Sequence, residues 1–84
     1  MLHMGGGYIV PYKNIIVILD KKKADDSNDT GLFLKNIRKR AECVHIGGET
    51  KSIVITENRG MWVVFDSPIS TATLLKSGRK EGKA

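Results

Sequence analysis

Residues 15–20, Ile15-Ile16-Val17-Ile18-Leu19-Asp20, decide the fold. Four of the five apolar residues are β-branched, and such side chains pack well on a pleated surface, so the run reads as a strand. Successive strand side chains point to opposite faces, which leaves apolar groups on both. One amphipathic helix covers one face; the other needs a neighbour. A domain of 84 residues buries only about 60% of the surface its unfolded chain exposes, so the reading assigns that neighbour to a second copy or a partner.

Upstream, Tyr8-Ile9-Val10 reads as a short strand ended by the turn Pro11-Tyr12-Lys13-Asn14. Downstream, residues 21–28 form a charged connection without apolar periodicity. Asp29 then serves as N-cap of a helix over residues 30–42, whose core stripe is Phe33, Leu34, Ile37 and Ala41. Its bases Lys35, Arg38, Lys39 and Arg40 resemble a nucleic-acid-binding face, but ordinary helix electrostatics also places cations at the negative end of the macrodipole. Residues 43–46 are a weaker strand candidate, followed by a loop through Gly47-Gly48-Glu49-Thr50. Residues 51–56 and 61–65 make an antiparallel hairpin around Glu57-Asn58-Arg59-Gly60. Ser67 or Ser70 caps a short final helix through Leu75, before a disordered basic tail at residues 77–84. The expected architecture is α+β: a small antiparallel β-sheet, one amphipathic helix and a short C-terminal helix, in a single domain over residues 1–76.

Composition narrows the function. With 40% hydrophobic and 27% charged residues the chain reads as one soluble domain. Cys43 is the only cysteine, so no disulfide forms, and with His3 and His45 it gives too few soft ligands for a zinc framework. No basic leader opens the chain, and its longest apolar run is far short of the roughly twenty residues of a membrane span. The expected setting is cytoplasmic, without membrane contact. Fourteen bases against nine acids give a formal net charge of +5, which favours a polyanionic partner.

Enzyme chemistry finds no footing. Cys43 and His45 share a strand face but lack an orienting third group. Gly5-Gly6-Gly7 fits neither phosphate-loop pattern and reads as a tight turn or a site of close backbone packing. Neither a cofactor nor a small-molecule substrate is expected. The bases that sit at strand ends and in the tail, Lys13, Lys51, Arg59, Arg79 and Lys80, are the candidate contacts to double-stranded DNA. Tyr12 and Trp62 are stacking candidates, with Trp62 better read as core.

Four segments together resemble a known family: His-Met-Gly-Gly-Gly-Tyr-Ile-Val-Pro at 3–11, Ile-Ile-Val-Ile-Leu-Asp at 15–20, Lys-Ser-Ile-Val-Ile-Thr at 51–56 and Ser-Pro-Ile-Ser-Thr-Ala-Thr-Leu at 67–74. Over residues 2–76 the chain resembles the RemA/RemB family of bacterial regulators of extracellular matrix and biofilm genes, and its Ser-Pro-x-Ser-x-x-Thr-Leu ending is closer to the RemB branch. The resemblance implies a transcriptional regulator with a fold similar to the LytTR type, assembled into a homo-oligomeric ring with DNA bent around a cationic outer surface. The chain departs from that pattern where the RemA branch has paired arginines, for Gly48 and Glu49 stand there and only Lys51 keeps the charge. The family's first-turn arginine corresponds to Lys13 in a RemB-like alignment and to Asn14 in a RemA-like one. Gly48 and Glu49 leave open the alternative of an oligomeric structural or adaptor protein that binds another protein and not DNA.

Overall fold

Three glycines reverse the chain at its start. Gly5, Gly6 and Gly7 all have positive φ (94°, 59° and 81°), a region that L side chains enter only at a cost, and they join β1 (Leu2–Gly5) to β2 (Tyr8–Val10). A Cβ on Gly6 would lie 2.9 Å from Ile46 Cγ2, so the turn is both tight and closely packed. The computed structural model describes the backbone of residues 1–82 and the side chains of residues 1–76. Pro11 starts a 3-10 turn at Tyr12–Asn14 that leads into β3 (Ile15–Asp20). Then come α1 (Lys21–Asp25), α2 (Asn28–Arg38), β4 (Glu42–His45), β5 (Ser52–Asn58), β6 (Met61–Ser67) and α3 (Thr71–Gly82).

The fold is α+β, with a four-stranded sheet in the order β3-β5-β6-β4. Strands β3, β5 and β6 are antiparallel neighbours, as expected of the hairpin and the strand beside it. Strand β4 differs from the expectation: it runs parallel to β6, with Glu42 opposite Val63 and His45 opposite Asp66. Parallel pairing needs a long crossover, and the stretch from β3 through α1 and α2 leaves β4 pointing the same way as β3.

Alternation along β5 sorts the interior into two layers. On one face Ile53 and Ile55 pack with Val64, Ala24 of α1 and Leu34 of α2; on the other, Val54 packs with Leu2, Met4, Val10 and Leu74. Each large side chain removed from water in this way is worth about 1.5–3 kcal/mol. The second face of the sheet is therefore covered by the chain's own β1–β2 hairpin and α3. That corrects the expectation of an external neighbour, because Leu2 and Met4 supply apolar surface that the reading of 15–19 did not count. The buried hydroxyls are satisfied: Ser67 donates to the Met4 carbonyl at 2.8 Å, Ser52 to that of Ile69 at 2.6 Å, and Thr56 to that of Val63 at 3.1 Å.

Two further corrections concern helices. The charged connection at 21–28 contains α1, where the Asp20 carboxylate accepts the Lys23 N–H at 3.2 Å and Ala24 is the one buried residue. Helix α2 is capped by Ser27, whose hydroxyl accepts the Thr30 N–H at 3.2 Å, and not by Asp29; it ends at Arg38, short of Glu42. Its buried residue is Leu34, with Ile37 and Ala41 packed beside it, while Phe33 faces outward. Helix α3 passes the expected end at Leu75. The expected disordered tail at 77–84 lies outside the residues whose side chains are described. No helix among the described residues is long and apolar enough to cross a membrane.

Candidate nucleic-acid interface

Strand direction determines which bases meet. Ile15 pairs with Thr56, so the 3-10 turn carrying Lys13 sits at the C-terminal end of β5. Arg59 lies at that same end, in the two-residue connection to β6, where Arg59 and Gly60 both take positive φ (53° and 81°) as a type I′ hairpin turn requires. The turn is braced by the Glu57 carboxylate, which accepts the Gly60 N–H at 2.6 Å. Because β4 is parallel to β6 and begins opposite Val63, the residues that leave α2, Lys39 and Arg40, also reach this end. Four cations thus gather at one end of a sheet roughly 15 Å wide at about 4.8 Å per strand spacing, against the carboxylates of Glu42 and Glu57. All four are exposed, and none forms an ion pair among the described residues.

Lys51 goes elsewhere. It precedes β5, donating its N–H to the Ser67 carbonyl at 2.8 Å and accepting the Lys21 N–H at 3.0 Å, so the length of β5, roughly 20 Å, separates it from Lys13. It borders an open cavity of about 520 Å³ with Lys21 and Lys22, but also with Asp20, Asp25 and Glu49, which balance the charge. Within one chain, then, Lys13 and Arg59 come together and Lys51 does not join them. Arg79 and Lys80 lie outside the described side chains. The Gly48 position has φ +65°, a backbone that suits glycine and would strain an arginine.

Arg38 is withdrawn from any such surface by Asp66, which it grips with both terminal nitrogens at 2.7 and 3.2 Å, and this hydrogen bonding raises the guanidinium pKa above its ordinary value. Trp62 is half-buried and packs in the α2-side core, in keeping with its reading as a core residue. Cys43 and His45 are both exposed on β4, the cysteine sulfur 3.8 Å from the Arg38 carbonyl oxygen and 3.9 Å from that of Ala41. No group of three or more His, Cys, Asp or Glu among the described residues is placed to hold a metal ion.

Sequence reasoning gave Lys39 and Arg40 to the helix macrodipole and so left them off the candidate surface. The signal for their inclusion is the direction of β4, which composition and spacing do not carry. No protein-family model matches the chain, and no curated protein matches it.

Proposed function

We propose that the chain is a cytoplasmic, DNA-binding transcriptional regulator of the RemA/RemB kind, acting on extracellular matrix genes as a homo-oligomer and not as an enzyme. The observation that carries the proposal is the convergence of Lys13 and Arg59, from the start of β3 and the β5–β6 turn, at one exposed end of the sheet. Cations held there by strand register suit phosphate oxygens, and each phosphate neutralised releases counterions, so affinity falls steeply with salt. Contacts of this kind position the protein on the duplex and carry little sequence information.

Oligomerisation enlarges a weak single-chain contact by repeating it. Among the described residues both outer strands of the sheet, β3 and β4, keep a free edge, and β3 bears the exposed Ile16 near its bulge. Those edges support assembly into a ring. Lys51 then belongs to the DNA surface where a neighbouring subunit brings its opposite sheet end alongside. Size-exclusion chromatography with light scattering, with and without a duplex, at low and moderate salt, tests the proposal. A multimer that shifts onto DNA at low salt and leaves it as salt rises supports it; a chain that ignores DNA at low salt overturns it in favour of the adaptor alternative.

A further inference from the structure

The outward face of α2 combines features that a phosphate contact does not use. Leu32 and Phe33 stand side by side on it, 60% and 46% exposed. One turn on comes Asn36, and past the last helical turn come Lys39 and Arg40. Phe33, Asn36, Ile37, Lys39 and Arg40 line an open hollow of about 560 Å³. Residues three and four apart on a helix are neighbours, so the apolar pair, the hollow and the two cations form one continuous stripe.

Exposed leucine and phenylalanine gain nothing from a phosphate backbone, but they gain from an apolar partner side chain. Lys39 and Arg40, with no ion pair among the described residues, complement carboxylates. We infer that this face docks an acidic, apolar segment of another protein. A leucine or aromatic residue of that segment enters the hollow beside Phe33 and Ile37, and carboxylates about a turn away pair with Lys39 and Arg40. Charge disfavours a second copy docked α2 against α2, since that stripe offers Asp29 alone against Lys39 and Arg40, and favours a segment that carries several carboxylates beside its apolar residue. The inference rests on Leu32, Phe33 and the hollow of α2; it shares Lys39 and Arg40 with the cationic end of the sheet but does not draw on Lys13 and Arg59.

A random peptide library displayed on phage, selected on the full chain and counter-selected on a Leu32→Ser/Phe33→Ser variant, tests it. Both changed side chains are exposed, and circular dichroism checks that the variant keeps its fold. The expected result is enrichment of peptides that combine a leucine or aromatic residue with acidic residues. Their synthetic forms bind the chain and lose on the order of tenfold affinity on Leu32→Ser/Phe33→Ser and again on Lys39→Glu/Arg40→Glu. DNA binding by Leu32→Ser/Phe33→Ser stays unchanged, whereas Lys13→Glu/Arg59→Glu keeps the peptides. Three outcomes would overturn the inference: no enrichment, or enriched peptides without acidic residues; loss of DNA binding in Leu32→Ser/Phe33→Ser, which gives the face to DNA; and dissociation of an oligomer by the same variant, which gives it to a second copy.

Discussion

Arg38 on α2 and Asp66 on β6 meet through two parallel hydrogen bonds, guanidinium to carboxylate, of 2.7 and 3.2 Å. The pair joins the helix to the sheet across 28 residues of sequence and is only partly exposed, 31% and 16% by side chain. Bidentate geometry and partial burial lift it above an ordinary surface pair, whose worth is about 0–1 kcal/mol.

Arg38→Ala is expected to lower stability by about 1–2 kcal/mol, discounted for the solvent that still reaches both groups, and Arg38→Lys to recover only part of it. Urea unfolding followed by circular dichroism measures the loss. The Arg38 pKa is raised on folding, so its contribution is fully present below the unfolded-state value and disappears only as pH climbs through the folded one. Neutral and moderately alkaline buffers therefore give the same Arg38→Ala difference.

The phase of α2 makes a sharper prediction. Leu34 is 8% exposed and Phe33 46%, so Leu34→Ala is expected to cost about 2–4 kcal/mol and Phe33→Ala less than about 1 kcal/mol, the reverse of what side-chain size would give. Denaturant midpoints of the two variants, compared with the parent at constant m-value, decide the matter.

One chain covers both faces of its own sheet, so folding does not require association. A chain diluted until its oligomer dissociates is expected to stay folded and to keep a cooperative thermal transition, with a midpoint lowered only by the mass-action contribution of assembly. Loss of the folded circular dichroism signal on dissociation to monomer would show that assembly is needed for the core.

Much of this architecture is legible in the chain. The β-branched run at 15–19 and the Asn58-Arg59-Gly60 turn between apolar segments carry strong local signals, and β3, β5 and β6 follow from them. The alternation of Leu2 and Met4, buried on one side of β1 with exposed His3 between them, is also present in the sequence, and it is the signal that identifies the second cover of the sheet. Helix α1 is hidden because five residues with one buried alanine show no periodicity. Moving the cap from Asp29 to Ser27 shifts the start of α2 but not its phase; Phe33, about 100° round the helix from Leu34, lies at the edge of the apolar stripe, and the sheet covers the Leu34 side. The candidate surface is the least legible part. Lys13 and Arg59 are 46 residues apart, and only the antiparallel register of β3 on β5 and the tight β5–β6 turn bring them to one end.

Fluorescence anisotropy of a labelled duplex, titrated with the parent chain and with Lys13→Glu/Arg59→Glu over a salt series, tests the DNA contact most directly. The account predicts binding by the parent at low salt that weakens as salt rises, and a variant of unchanged fold and assembly whose affinity drops by on the order of tenfold or more with a shallower salt slope. A variant that binds as the parent does, with the same slope, would contradict the placement of the contact at this end of the sheet.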